Sequence, residues 1–115
     1  MIIHKLNEVK ENEVCEGGSS GAFITILIGP EDGSKNIIMR KIRLRPGGHT
    51  PLHEHPHEHV VHIEKGRGFV VSPTGEEIEV AAGQSLFVAG DEKHQFKNKS
   101  QDDFEFLCTI LNPER

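Results

Sequence analysis

Eight histidines occur in a chain with no Trp or Tyr, and five of them, His49, His53, His55, His57 and His59, crowd into one short stretch. Neutral imidazole is the commonest metal-binding side chain and suits Zn, Cu, Fe and Ni. His53 and His55 are one residue apart, so in an extended segment both rings point to the same side, about 7 Å apart at the backbone. Two rings so placed share a metal readily. His59 follows on the strand entered after Pro56, and His94 opens a later strand able to pair alongside. Together, His53, His55, His59 and His94 make a candidate N4 metal site. His57 has the parity of His53 and His55 but follows Pro56 and stays outside this set, as does His49. His62 alternates away from His59, Val61 and Ile63 and belongs to the outer sheet face; His4 reads as a surface or strand-edge residue. The cluster is internal, which rules out a purification tag.

The elements that position these residues are strands. Apolar residues recur at period two in short runs broken by Gly, Pro, Asn and Asp, with no sustained helical periodicity. The pattern predicts strands at Ala22 to Ile28, Asn36 to Arg45, His59 to Glu64, Gly68 to Ser72, Glu77 to Ala81, Ser85 to Val88, His94 to Asn98 and Asp103 to Leu111. Gly29 to Gly33, Pro46-Gly47-Gly48 and Ser72 to Gly75 supply the turn chemistry that predicts strand reversals. Alternation also sorts faces: Ile38, Arg40, Ile42 and Leu44 share one side of their strand, and Phe104, Phe106, Cys108 and Ile110 form an uninterrupted inward face. An inward Arg40 requires either a carboxylate nearby or an anionic ligand. Cys108 reads either as a small buried hydrophobe or as a pocket residue.

Composition bounds the rest. The 115 residues fit one domain, a barrel or sandwich, with its core at about 36–111 and an N-terminal strand segment at 1–35. A net charge of −5, with acids and bases interspersed, offers no basic face for nucleic acid. Cys15 and Cys108 form neither a disulfide framework nor a CxxC pair, and no apolar run approaches membrane-spanning length. A cytoplasmic protein without nucleic-acid or membrane partners is the expectation.

Gly47-x5-His53-x-His55-x3-His59-x6-Gly66 resembles the first motif of the cupin superfamily, with His59 where that motif usually has Glu. The second motif resembles Gly83-x5-Ala89-x-Asp91-x2-His94-x3-Asn98, with Ala89 and Asp91 where Pro and Gly are usual. The resemblance implies an all-β double-stranded β-helix, a jelly-roll barrel, with two adjacent coordination positions left open. His59 for Glu is similar to the small single-domain cupins with four histidine ligands, manganese proteins with oxygen-dependent carbon–carbon double-bond cleavage activity. In that subgroup, positions matching Arg40, Phe106, Cys108 and Ile110 line the pocket.

Four neutral imidazoles leave a divalent site at about +2, against about +1 for three His and a Glu, which favours an anionic co-ligand. Ligand affinity favours Cu, Ni or Zn, whereas the resemblance implies Mn; Mn ranks first, with Fe, Ni, Zn or Cu as other occupants. The expected function is a metal-dependent oxygenase or dioxygenase acting on a small unsaturated or aromatic compound. Arg40 and Cys108 have pocket roles in that reading, and Phe104, Phe106 and Ile110 pack the substrate. The alternatives are a non-oxidative isomerase, decarboxylase or lyase, and a small-ligand-binding module without turnover. Apolar residues at Ile2, Ile3, Leu6, Val9 and Val14, with an outer sheet face carrying Val60, Leu107 and Leu111, predict a homodimer with N-terminal strand exchange.

Overall fold

The alternating segments are strands in the computed structural model, which describes residues 1–115. They are β1 (Glu11–Glu13), β2 (Ser20–Ile28), β3 (Ile37–His49), β4 (His59–Lys65), β5 (Arg67–Val71), β6 (Glu77–Ala81), β7 (Ser85–Val88), β8 (Gln95–Lys97) and β9 (Phe104–Leu111). Single 3-10 turns at Leu6–Glu8 and Pro30–Asp32 are the helical content. The sheet runs β6-β5-β8-β3-β9-β4-β7, with β2 and then β1 added beside β3. Every pairing between named strands is antiparallel. This is the all-β jelly-roll architecture that the motifs implied.

β1 is the strand that periodicity does not mark, because Glu-Asn-Glu has no apolar member. It is held instead by its pairing with Phe23 to Thr25 and by Arg43, whose Nε and Nη2 each donate to a Glu11 carboxylate oxygen at 2.9 Å.

Pro46-Gly47-Gly48 does not reverse the chain as predicted; β3 continues through it to His49. The physical reason is a bulge. Ala22 pairs with Leu44 but Ser20 with His49, so residues 45–48 of β3 stand opposite Gly21 alone. Gly47 takes φ +81°, and a Cβ on Gly48 would lie 2.6 Å from Gly21 O. The bend lets one strand pair with β9 along Ile37 to Leu44 and with β8 at His49, joining the barrel's two halves. Buried Asn98 pins it: Gly47 N donates to Asn98 O and Asn98 N donates to Gly48 O, both at 2.9 Å. Its side-chain amide donates to Leu44 O (2.9 Å) and Asp102 O (2.8 Å), while Oδ1 accepts from Ser100 N and Oγ.

The interior is filled by Ala22, Leu44, Val61, Ile63, Phe104 and Phe106, all essentially inaccessible. Burying each large apolar side chain contributes roughly 1.5–3 kcal/mol. Phe106 stacks on Phe96 with ring centroids 4.5 Å apart and leans on Phe104 at 5.2 Å, so one end of the barrel is solid core. The other end holds the histidines.

Candidate metal centre

Three pieces of backbone bring the imidazoles together. His53 forms an antiparallel bridge with His94, N–H to O at 3.1 and 2.9 Å in the two directions. Asp91 N donates to His55 O at 2.5 Å, fastening the loop between β7 and β8 to the His53–His55 segment. His59 opens β4, where it pairs with Val88 of β7 and Ile110 of β9. Asp91 sits at φ +62°, the only residue other than glycine in the left-handed region. That conformation explains why a glycine is usual at this place in the motif; Asp tolerates it better than a bulky residue.

His53, His55, His59 and His94 all line one pocket of about 100 Å³, together with Arg40, Cys108, Phe96 and Phe106. Ring centroids are 4.1 Å apart for His53 and His55, 5.1 Å for His53 and His94, and 4.8 Å for His59 and His94. The Nε2 atoms of His53 and His55 are 3.3 Å apart. Two imidazole nitrogens at about 2.1 Å from one ion lie roughly 3.0–3.4 Å from each other, so this pair already has the separation of shared ligands. His94 Nδ1 faces Glu92 O at 2.8 Å, an acceptor that fixes the Nδ1–H tautomer and leaves Nε2 as the free lone pair. His53 Nδ1 and His59 Nδ1 are buried without a hydrogen-bond partner, and the nearest acid to His53 Nδ1 is Glu16 at 3.5 Å. An imidazole binds one ion through one nitrogen, so the facing Nε2 atoms of His53 and His55, rather than these Nδ1 atoms, are the feature that fits a shared cation.

The electrostatics point the same way. Burial, reinforced by the neighbouring cationic groups, pushes His59 down to about 3 and His55 down to about 4. Burial also lowers His57 and His94. The rings are therefore neutral at pH 7 with lone pairs available, as metal ligation requires.

His57 is the histidine that motif spacing undervalued. Its ring stacks on His55 at 4.6 Å and 11°, and the ligand nitrogens of His55, His57 and His59 all lie within 4.8 Å of one another, a second group able to hold an ion. The signal was its parity, shared with His53, His55 and His59. The other three histidines lie elsewhere: His49 beside Thr50 O, His62 exposed against Ser85 Oγ, and His4 against Asp32 at 2.6 Å.

Of the expected wall, Phe106 and Cys108 line the pocket but Phe104 and Ile110 do not. Phe104 lies below Phe106 in the solid core, its ring so close to Gly68 that a Cβ there would be 2.5 Å from it. Ile110 is inward yet lies beside His59 in the β4–β9 register rather than facing the cavity. Side chains not foreseen supply the remaining wall, among them Phe96, Ile24, Ile42 and Thr50.

A jelly-roll barrel with an imidazole cluster inside one end, open to solvent on that side, is the architecture of a cupin. Residues 40–110 match the cupin domain family, and the chain belongs to that family. It is 36% identical over 78 residues to 1-methylthio-D-xylulose 5-phosphate methylsulfurylase of Rhodospirillum rubrum, an alignment covering 67% of this chain and 48% of that protein. It is 30% identical over 79 residues to an oxalate-binding protein of Thermotoga maritima, covering 68% of this chain and 64% of the relative. The chain thus spans about half to two thirds of these relatives' length. Among solved structures, the polyketide cyclase RemF from Streptomyces resistomycificus superposes with a TM-score of 0.92 at 28% identity, covering 96% of this chain and 79% of that one.

Proposed function

We propose that this cupin is a metal-dependent oxygenase for a small unsaturated compound, with His53, His55, His59 and His94 as ligands to one divalent transition metal, Mn first and Fe, Ni, Zn or Cu as other occupants. The observation that carries it is four imidazoles lining one pocket whose single acid, Glu16, is largely exposed. When bound, the metal supplies Lewis acidity and, if redox-active, electron transfer with dioxygen. The chain's own residues do the rest. His94, whose Nδ1 meets Glu92 O, holds its ring before any ligand arrives, and the backbone bridge of residue 53 to residue 94 keeps the two segments side by side. Phe96 and Phe106 give the substrate an apolar surface that excludes water, and Arg40 and Cys108 form the polar part of the same wall.

Loaded protein should hold about one metal per chain. His53→Ala and His94→Ala should each abolish retention, and His57→Ala should keep it. Retention in His53→Ala/His94→Ala with loss in His57→Ala would instead assign the ion to His55, His57 and His59. Turnover of candidate alkenes or enols should require air; equal turnover without oxygen overturns the oxygenase reading. That result would favour a second reading, Lewis-acid chemistry without oxidation, which the likeness to a polyketide cyclase supports. A module that binds a small ligand without turnover is the third, supported by the oxalate-binding relative.

The proposal includes a homodimer. Met39, Thr109, Val60 and Phe87 form one cross-strand row over β3, β9, β4 and β7 on the outer face, and Val60 and Phe87 are more than half exposed. Leu6 and Val9 border a groove on the chain's own outer face with Leu27, Met39 and Leu107, while Ile2 and Ile3 remain exposed for an exchanged contact. No helix is long and apolar enough to cross a membrane.

A further inference from the structure

Two inward- and outward-facing arginines three positions apart on β3 are treated differently by the fold. Outward Arg43 is met by two carboxylates, Glu11 at 2.9 Å and Asp103 at 3.3 Å. Inward Arg40 is met by none. Its Nη2 donates to Cys108 Sγ at 2.9 Å and its Nε, closed off from solvent, has no partner. A thiol sulfur is a weak acceptor, and burial pushes the Cys108 thiol up, so it stays neutral and offers no counter-charge. The pocket's one acid, Glu16, lies at the mouth, 64% exposed and turned to His53. The chamber therefore gains a guanidinium charge, and with four neutral ligands it gains the full charge of a divalent ion as well, with no buried acid of the chain's own to balance either.

We infer that Arg40 is a specificity-determining residue for a carboxylate, and that the substrate class of this site is small organic acids whose carboxylate sits between Arg40 and the metal centre. This rests on the pocket reading above and narrows it. A planar guanidinium fork matches a carboxylate in two parallel N–H···O bonds, which Lys does not reproduce. Size agrees: about 100 Å³ has room for roughly three waters at ~30 Å³ each, enough for a carboxylate head while the remainder of the molecule passes through the mouth.

The experiment is calorimetric titration of pyruvate and oxalate, and of the neutral isostere pyruvamide, into metal-free and Zn-loaded protein, with wild type, Arg40→Met and Arg40→Lys. Wild type should bind both acids and discriminate against pyruvamide by at least tenfold. Arg40→Met should lose at least tenfold in acid affinity in both the metal-free and loaded forms, and Arg40→Lys should recover only part. Zn content should be the same in all three. Because Arg40 has no carboxylate to lose, Arg40→Met should also melt at or above the wild-type Tm. Equal binding of pyruvate and pyruvamide by wild type, or acid affinity unchanged in Arg40→Met, overturns the inference, and so does a lowered Tm, which would make Arg40 structural. Failure of the metal reading is seen separately, as absent Zn retention with Arg40-dependent acid binding intact in the metal-free protein.

Discussion

At the scale of single residues, the pocket histidines tie stability to pH. His59 titrates near 3 and His55 near 4 in the folded chain, both depressed mainly by burial, against about 6.5 when unfolded. Above pH 6.5 both states are neutral and the rings add no pH dependence. As pH falls from 6.5 toward 4, only the unfolded chain gains protons, so folding stability falls across that window. Metal-free protein should lose on the order of 1 kcal/mol through buried His59 and less through half-buried His55 between pH 6.5 and 5, after discounting for solvent near the mouth. Urea unfolding at pH 7.5 and pH 5 measures it, and His59→Asn, which cannot charge, should flatten the slope. An unchanged slope in that variant would show that His59 is not the group responsible. Bound metal should be released over the same acid range, because protons compete for the same lone pairs.

At the scale of elements, the corner in β3 decides whether the two halves of the barrel meet. Asn98 satisfies Leu44 O, Asp102 O and Ser100 at once and braces the Gly47–Gly48 bulge through its backbone. Asn98→Ala should cost about 2–3 kcal/mol, the penalty for leaving buried partners unmet, with metal retention weakened because β8 begins one residue after His94. Thermal unfolding of the variant checks this; a loss below about 0.5 kcal/mol, the size of an ordinary surface change, would show the corner holds without it. The bulge was not readable from local turn chemistry. Pro-Gly-Gly fits a reversal and a bulge equally, and only the pairing of residues on either side, Leu44 with Ala22 and His49 with Ser20, distinguishes them.

At the scale of the whole molecule, the row Met39, Thr109, Val60 and Phe87 leaves an apolar stripe in water, extended by Ile37 and Leu111. A closed two-fold pair buries such a stripe on both copies at once. Light scattering should give twice the chain mass, and Val60→Asp with Phe87→Asp should give monomers that keep the fold by circular dichroism. A monodisperse monomer at micromolar wild type would overturn the dimer.

The sequence by itself marked every strand except β1, and the inward faces of β3, β4 and β9, and it singled out four motif histidines that share one pocket, because alternation and residue spacing are local properties of an extended chain. Arg40 was legible as inward for the same reason, although its partner was not. The tertiary structure alone decided what lies across the barrel: that Arg40 meets a thiol rather than a carboxylate, that Phe104 belongs to the core while Phe96 walls the pocket, and that His57 stacks on His55. Those facts depend on which strands become neighbours, which is set by the long-range register of β3, β4 and β9 and is not encoded in any one segment.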